Sequence, residues 1–400
     1  MSDRPTSRRI FLQSAAAAGL ILPGLAGCVS APGAEPLPRR AIGMPWPSWG
    51  ELPATPPATP KAGSVGVAVI GLGGYALGKA MPGLAAAEGT HVAAVVSGNP
   101  EKAAKVAAAY GVPQDAVYSY DTFANIAADD RVEAVYIVLP SGLHADWAEM
   151  AFAAGKHVLC EKPMALTISE CQRMIAAANA AKKKLMIAYR CHFEPYNLHA
   201  MDLVRQGAVG QIQTIETANC YVAGPETPAT NWRLVRALTG GGALEDYGLY
   251  GLQAALYLTG EEPGQVRGWT EQPKGDPRFS DIPATTRAEL YFPSGAVTKL
   301  VTSYNLPNAN RVNVTGTDGA LRMEPATGYG GNRMYLTQGG TAEELKPGDS
   351  DIQFARMSQH FADAIRKDTL ILTPGEMGLR DTRIIEAIYA SAEAGRPVAL

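Results

Sequence analysis

Three side chains in this sequence of 400 residues could act together on a proton: Lys162, Asp246 and Tyr250. Lys162 follows an apolar, strand-like run, and Asp246 and Tyr250 lie four residues apart on one face of a predicted helix. The pKa of tyrosine is ordinarily about 10, and a nearby ammonium group favours the phenolate. We therefore expect Lys162 to lower the pKa of Tyr250 and Asp246 to orient the pair, although each residue alone also fits a purely structural role.

A glycine-rich turn supplies a candidate nucleotide site. The segment Gly71-Leu72-Gly73-Gly74-Tyr75-Ala76 fits the pattern G-x-G-x-x-A, and it follows the apolar run Val65–Ile70 and opens a predicted helix. Gly71 permits a tight turn, Gly73 lets the backbone approach a pyrophosphate, and Ala76 allows the helix to pack closely on the strand. The helix N-terminus attracts phosphate. The sequence therefore predicts a dinucleotide site formed by Gly71, Gly73, Gly74, Tyr75 and Ala76.

The end of the second predicted strand indicates which nucleotide binds. Enzymes that use NAD usually carry an acidic residue at this point, whereas this chain reads Val95-Val96-Ser97-Gly98-Asn99-Pro100-Glu101-Lys102. Asn99 and Pro100 are typical of a helix start. We therefore expect NADP, with Ser97 and Lys102 on its 2′-phosphate. The alternative is that Lys102 is a solvated helix residue and that NAD binds.

The order of predicted elements indicates an α/β protein with two domains. Strands and helices alternate up to about residue 190, which predicts an N-terminal Rossmann domain with a doubly wound parallel sheet. Several strands then follow one another, with helices near 243–258, 353–367 and 374–393, which predicts a C-terminal α+β domain with a large, mostly antiparallel, open sheet. The predicted segments are an export signal (1–31), a proline-rich arm (32–63), an NADP-binding Rossmann domain (64–188) and a substrate and oligomerisation domain (189–400).

The first 31 residues are predicted to direct export. Ser7-Arg8-Arg9-Ile10-Phe11-Leu12 is a twin-arginine pattern, and the apolar stretch 15–25 is too short to span a bilayer. We expect the twin-arginine export machinery to carry the folded protein to the periplasm. Leu25-Ala26-Gly27-Cys28 also resembles a lipobox, so lipid attachment at Cys28 and ordinary cleavage nearby, for example after Ala31, stay open.

Composition argues against several other classes of protein. The net charge of −3 and the pI of about 6.1 do not favour a surface for nucleic acid or a polybasic membrane patch. The five cysteines and six histidines lack the spacing of metal ligands or of a disulfide framework. We therefore expect no metal and no nucleic-acid partner.

These motifs resemble the Gfo/Idh/MocA oxidoreductase family. The resemblance is carried by Glu161-Lys162-Pro163 and by Gly240-Gly241-Gly242-Ala243-Leu244-Glu245-Asp246-Tyr247-Gly248-Leu249-Tyr250, and it is supported along 96–102, 134–145, 184–192 and 232–251. The family usually has histidine where this chain has Tyr250. Tyrosine at that position resembles the exported branch, the glucose–fructose and aldose–aldose oxidoreductases.

The resemblance implies roles for individual residues. Lys162, Asp246 and Tyr250 would be catalytic. The cofactor would be held by the glycine turn and by Leu139, Pro140, His144, Glu161, Lys162, Arg190, Trp232 and Arg233. The aromatic and polar residues of the segment 189–197 fit either a sugar site or a hinge between domains.

The resemblance also implies an activity and an assembly. The enzyme would oxidise an aldose to its lactone and reduce a second sugar, a ketose or an aldose, with the same tightly bound NADP, and it would form a homodimer or homotetramer. Three alternatives stay open. They are an exported NAD(P)-dependent glycosidase, a dehydrogenase that exchanges NADP with solution, and a binding protein without activity, since a fold alone does not give a function.

Overall fold

The computed structural model describes Leu52, Pro57, Pro60 and residues 62–400. The predicted export signal, the possible lipobox and nearly all of the predicted proline-rich arm lie outside the described residues. The described part of the chain from residue 62 onwards falls within one compact unit, in which two sheets are joined through the helices of the C-terminal half.

The first sheet has six parallel strands in the order β3-β2-β1-β4-β5-β6. Its strands are β1 (Val65–Ile70), β2 (Thr90–Val96), β3 (Val117–Tyr118), β4 (Ala134–Ile137), β5 (His157–Cys160) and β6 (Leu185–Ile187). Strand β1 is buried along its whole length because helices cover both faces of the sheet. The chain reverses its winding between β1 and β4, which opens a crevice at the carboxyl ends of these strands. This arrangement confirms the predicted doubly wound sheet.

Four α-helices belong to this half: α1 (Met81–Ala86), α2 (Pro100–Tyr110), α3 (His144–Ala153) and α4 (Ile168–Ala181). A π-helical stretch, Ala76–Ala80, precedes α1 directly after the glycine turn. The sequence Thr167-Ile168-Ser169-Glu170 predicts a capping box at the start of α4, and the structure has it. Thr167 Oγ1 accepts from the backbone N–H of Glu170, and the Glu170 carboxylate accepts from the backbone N–H of Thr167. This capping box fixes the start of α4.

The second sheet has nine strands in the order β14-β13-β12-β11-β7-β10-β9-β8-β15. They are β7 (Ile212–Val222), β8 (Gln265–Glu271), β9 (Thr285–Tyr291), β10 (Val297–Ser303), β11 (Asn305–Gly316), β12 (Gly319–Met323), β13 (Met334–Gln338), β14 (Thr341–Leu345) and β15 (Val398–Ala399). Only the pair of β7 and β10 runs parallel within this sheet. The mostly antiparallel sheet that the sequence predicts is therefore confirmed.

The helices of the second half are α5 (Pro195–Arg205), α6 (Arg236–Thr239), α7 (Leu249–Thr259), α8 (Gln353–Arg366) and α9 (Gly375–Ala394). A π-helical stretch, Leu244–Gly248, leads into α7. Helix α8 packs on α1, where a Cβ at Gly83 would lie 2.6 Å from the Cβ of Phe354. Helix α9 packs on α4, and Cys171 Sγ lies 3.4 Å from Thr382 Oγ1. The two helices thus return the chain to the Rossmann half.

Sequence reasoning did not find strands β3, β8, β13, β14 and β15 or helices α5 and α6. Strand β14 is exposed over most of its length, and β8 is exposed over its second half, so neither shows the apolar alternation of a half-buried strand. Helix α5 begins where Glu194 accepts from the backbone N–H of Asn197, a cap that the surrounding aromatic residues obscured. In the part of the chain that the structure describes, no helix is both long and apolar enough to cross a membrane.

Candidate active site

One cavity of about 750 Å³ lies at the carboxyl ends of the parallel strands and reaches into the second half of the chain. It collects nearly all of the residues that the sequence predicts for the site. They are Gly71, Gly73, Gly74, Tyr75, Ala76, Ser97, Lys102, Leu139, Pro140, Glu161, Lys162, Trp232, Arg233, Asp246 and Tyr250. We call this cavity the cleft. Two predicted cofactor residues, His144 and Arg190, are not among its lining residues.

The glycine turn has the geometry that a dinucleotide requires. Gly71 has a φ of +88°, and a Cβ there would lie 2.2 Å from the carbonyl oxygen of Val138, so a side chain is excluded by both strain and space. At Gly73, by contrast, no heavy atom of the described residues lies within 4 Å of the position of a Cβ. The backbone of Gly73 is therefore open to the cleft, where a pyrophosphate can approach it.

A hydroxyl and a cation flank the same end of the cleft. Asn99 caps α2 by accepting from the backbone N–H of Lys102 at 2.9 Å, and the N–H of Asn99 donates to Ser97 Oγ at 3.2 Å. The ammonium of Lys102 donates to the carbonyl oxygen of Leu72 at 2.9 Å, which holds it beside the glycine turn. Burial lowers the pKa of Lys102. Ser97 and Lys102 are thus brought together with the turn, as the prediction of a 2′-phosphate site requires.

Asp246 is the most densely bonded charge in the cleft. Lys162 Nζ donates to its backbone carbonyl at 2.5 Å and lies 3.3 Å from its Oδ1, while Arg233 Nε and Tyr304 Oη donate to Oδ2 at 3.1 and 2.9 Å. Burial alone would raise the pKa of this carboxyl, but the charges of Lys162 and Arg233 outweigh it, and the pKa of Asp246 lies below its ordinary value. Asp246 therefore remains an anion that fixes the position of the Lys162 ammonium.

Tyr250 differs from the expectation in its protonation. The ammonium of Lys162 lies 4.8 Å from the centre of the Tyr250 ring, on its face, while Arg190 Nε donates to the Tyr250 hydroxyl at 3.1 Å. Desolvation in the cleft raises the pKa of Tyr250, even though Arg190 opposes the rise. The expectation of a lowered pKa for Tyr250 is therefore wrong, because desolvation outweighs the nearby cations and the sequence could not show how deeply the hydroxyl is enclosed. Tyr250 is a neutral phenol at neutral pH, and its O–H can point away from Arg190.

Arg190 also differs from its expected place. The residue is only 2% exposed, and its remaining donors reach the side chain of Gln353 at 2.7 Å and the backbone carbonyls of Thr327 and Gly328 at 2.6 and 3.1 Å. These bonds use four of the five N–H groups of the guanidinium. Arg190 thus connects the Tyr250 hydroxyl to the loop after β12. Its contact with the cofactor stays a prediction.

His144 is the other predicted cofactor residue outside the lining. It is fully buried, with Nδ1 2.9 Å from the carbonyl oxygen of Pro163 and Nε2 2.8 Å from that of Leu139. Burial lowers the pKa of His144. The ring therefore joins the two loops that follow β4 and β5 from behind, and it acts on the cleft by holding Leu139 in place.

Glu161 lies at the floor of the cleft as a buried carboxyl. Tyr136 Oη donates to its Oε1 at 2.6 Å, and the backbone N–H of Lys162 donates to its Oε2 at 3.2 Å. Burial raises its pKa. The segment 189–197, in contrast, is entirely buried and lines no part of the cleft. This burial favours the alternative of a packed hinge between domains over the sugar site.

Sequence reasoning missed one acid that supports the site from behind. Glu245 is 6% exposed, and it accepts from the backbone N–H of Gly241 at 2.6 Å and from Tyr389 Oη at 2.9 Å. Burial raises its pKa to about 7. A Cβ at Gly241 would lie 1.9 Å from Tyr389 Oη, so the glycine run 240–242 packs directly against Glu245 and Tyr389. The signal available in the sequence was the position of Glu245, three residues after the glycines 240–242.

The chain belongs to the Gfo/Idh/MocA oxidoreductase family. Residues 65–189 match the family model described as the oxidoreductase family with an NAD-binding Rossmann fold, and residues 197–322 match the GFO/IDH/MocA C-terminal domain. Both matches agree with the two sheets and with the cleft between them. The resemblance that the motifs carry is therefore confirmed.

Individual relatives are sugar oxidoreductases. The chain is similar to an NADP(+)-dependent D-xylose 1-dehydrogenase from Haloarcula marismortui, with 34% identity over 83% of this chain and 92% of the relative. It is similar in structure to the aldose–aldose oxidoreductase from Caulobacter crescentus complexed with glycerol, with 42% identity, a TM-score of 0.81 and coverage of 84% and 100%. A 3-ketoreductase from Actinomadura kijaniata in complex with NADP and TDP-benzene matches at 25% identity and a TM-score of 0.73, over 82% and 98%.

The raised pKa of Glu245 makes a prediction about stability. Because this carboxyl binds its proton more tightly in the folded state than the ordinary pKa of 4.5 allows, the free energy of unfolding should fall as the pH rises from about 4.5 to 7. Glu245→Gln should remove that part of the pH dependence, which amounts to about 2–3 kcal/mol. Denaturant unfolding at pH 5 and pH 8 measures it. Glu393→Gln, an exposed site on α9, should behave as the wild type, and an equal slope in all three proteins would contradict the assignment.

Proposed function

We propose that this protein is an NADP-dependent sugar oxidoreductase that oxidises an aldose to its lactone and reduces a second sugar with the same retained cofactor. One observation carries the proposal. Lys162, Asp246 and Tyr250 lie together in the cleft whose other end is formed by the glycine turn, Ser97 and Lys102. A group that moves a proton therefore shares one cavity with a dinucleotide site.

The residues present fit NADP. The open backbone at Gly73 suits the pyrophosphate, and Ser97 with Lys102 supplies a hydroxyl and a cation for the 2′-phosphate. The residues directly after β2, Ser97-Gly98-Asn99, include no acid, and the nearest one, Glu101, is paired with Lys105. Trp232 and Arg233 would cover the cofactor from the second domain, where their side chains stack with 4.3 Å between the guanidinium and the ring centre. Bound NADP would supply the acceptor and donor of the hydride.

The chain's own residues manage the proton. Oxidation of an aldose at C1 removes a hydride from carbon and a proton from the attached oxygen. The phenolate of Tyr250, formed when the phenol gives its own proton to solvent, would take the substrate proton, and the phenol would give a proton to a carbonyl oxygen in the reverse direction. Arg190 holds the oxygen of Tyr250 from one side, so the opposite side faces the cleft. Lys162, held by Asp246, stabilises negative charge on Tyr250 or on the substrate oxygen. Reduction of the second sugar consumes the proton that oxidation of the first releases.

One observation and one prediction favour a retained cofactor over one that exchanges. The similarity to an aldose–aldose oxidoreductase covers 84% of the chain at 42% identity. The predicted export would also place the enzyme where no pool of free nicotinamide exists, so its cofactor would have to be regenerated in place. A dehydrogenase that exchanges NADP is the second candidate, favoured by the similarity to a D-xylose 1-dehydrogenase.

The retained cofactor predicts an absorbance cycle without added nucleotide. When D-glucose or D-xylose is added to the purified protein, the near-ultraviolet absorbance of reduced nicotinamide should rise by at most one equivalent per chain. Addition of a second sugar, fructose or another aldose, should then reverse the rise.

The other outcomes separate the candidate functions. A rise that needs added NADP and continues beyond one equivalent would indicate an exchanging dehydrogenase. Release of the leaving group from a chromogenic glycoside, with no change in absorbance of nicotinamide, would indicate the glycosidase. No response to any sugar would leave a binding protein and contradict the proposal.

The raised pKa of Tyr250 predicts a pH dependence that differs between the two directions. Oxidation requires the phenolate of Tyr250 to accept a proton, so its rate should rise with pH over the alkaline range, whereas reduction uses the phenol and should stay level until the phenol titrates. Tyr250→Phe should lower kcat by about 10²–10⁴ in both directions and should leave NADP bound. Tyr247→Phe is the control, because Tyr247 lies three residues before Tyr250 and its ring packs on Tyr221. A Tyr250→Phe enzyme with unchanged turnover would overturn the assigned proton path.

A further inference from the structure

Tyr329 is a cleft residue to which neither the motifs nor the proposed reaction assigns a role. It lies in the glycine-rich loop between β12 and β13, which joins strands of the second sheet, and it lines the cleft next to Tyr75 of the glycine turn. Tyr329 is 40% exposed, the only large apolar or aromatic residue in the described lining that is exposed to this degree. The side chain of Tyr329 is therefore accessible to a ligand in the cleft.

The ring of Tyr329 is held on several sides. The guanidinium of Arg190 lies 4.6 Å from the ring centre and the ammonium of Lys79 lies 5.6 Å from it, while the rings of Tyr75 and Phe354 are at 5.9 and 5.7 Å. Gln353 Nε2 donates to the Tyr329 carbonyl at 3.2 Å, which fixes the loop itself. These contacts fix the orientation of the ring, while its exposed part, which is 40% of the residue, faces a ligand in the cleft.

The hydroxyl of Tyr329 has no hydrogen-bond partner among the residues that the structure describes. The neighbouring hydroxyls behave differently, since Tyr250 accepts from Arg190 and Tyr304 donates to Asp246. Desolvation raises the pKa of Tyr329, with the charge of Tyr250 adding to the rise, so the group is a neutral phenol close to Tyr250. A phenol that lines the cleft, that can both donate and accept, and that has no partner among the described residues is suited to a polar ligand.

Arg190 fixes the two phenols relative to each other. Its Nε donates to Tyr250 Oη, and its two terminal nitrogens donate to the carbonyls of Thr327 and Gly328, directly before Tyr329. The reacting hydroxyl and the Tyr329 loop are therefore bonded to one buried guanidinium. A ligand that bonds to both phenols must have its two oxygens at a fixed separation, which is the requirement that a specificity site imposes.

We propose that the Tyr329 hydroxyl binds a sugar hydroxyl remote from the reacting carbon and thereby selects which sugars the enzyme accepts. This inference rests on the proposed function, since it assumes that the carbon next to Tyr250 belongs to a sugar. Tyr329 is a specificity residue in this account, and the proton transfer itself stays with Tyr250.

The test removes one oxygen from the protein and one oxygen from the substrate in turn. Tyr329→Phe, purified with its retained cofactor, is compared with the wild type on D-glucose and on its 2-, 3-, 4- and 6-deoxy analogues. We expect kcat/KM for glucose to fall about tenfold, mainly through KM. One deoxy sugar, the one that lacks the partner hydroxyl, should be used equally well by both enzymes, and the other three should show the loss seen with glucose.

A matched control and a binding measurement complete the design. Tyr335→Phe removes a phenol of the next strand, β13, that bonds to Glu344 outside the cleft, and it should behave as the wild type. Calorimetry with 1,5-anhydro-D-glucitol, a ring-closed compound that has no hydroxyl at C1, should show weaker binding to Tyr329→Phe by about the same factor. This readout does not depend on turnover.

Three results would overturn the inference. The first is an unchanged kcat/KM for glucose together with unchanged binding of the anhydroglucitol. The second is an equal loss of kcat/KM on all five sugars, which would mean that the phenol supports the fold or acts at the reacting carbon. The third is a fall in kcat/KM for Tyr335→Phe as large as the fall for Tyr329→Phe. A wild-type enzyme that oxidises none of the sugars would instead count against the proposed function, and the calorimetric comparison would then decide the role of Tyr329 alone.

Discussion

The site depends on the need to pair one buried charge, the carboxylate of Asp246. An ionised carboxyl inside a protein is costly unless donors surround it, and removal of one partner from such a group costs about 3–5 kcal/mol. Its donors come from both halves of the chain: Lys162 follows a strand of the parallel sheet, whereas Arg233 and Tyr304 belong to the second half. The pairing therefore fixes where the two domains meet, and it places an ammonium group over the ring of Tyr250.

A second buried charge, Arg190, completes this arrangement from the other side. Its guanidinium is bonded to the Tyr250 hydroxyl and to two backbone carbonyls of the loop after β12, so Tyr250 lies between two cations that differ in what they contact. Lys162 acts on the ring face and Arg190 on the oxygen. Enclosure still raises the pKa of the phenol, which suits a group that must give a proton to a carbonyl oxygen as well as take one. The proposed alternation between oxidation and reduction would need both capacities.

The sequence predicted the parts of this site that local patterns specify. The glycine turn after β1, the cap of α2 and the capping box of α4 depend on residues within a few positions of one another, and all three are present. Lys162, Asp246 and Tyr250 were found because their motifs are local as well. Arg190 and His144 were assigned to the cofactor by resemblance, but their actual contacts, to Thr327 and to Pro163 among others, join segments that are distant in sequence. Spacing carries no information about such contacts, nor about the burial that sets the pKa of Tyr250.

Transfer of an isotope between two sugars tests the central claim most directly. The protein, as purified and without added nucleotide, is supplied with an aldose that carries deuterium at C1 and with an unlabelled second sugar, and the products are analysed by mass spectrometry. A retained cofactor that accepts the hydride from one sugar and gives it to the next predicts one deuterium at the newly reduced carbon of the second sugar. Lactone formed without deuterium in the second product, or label found only in nucleotide added to the solution, would contradict the account.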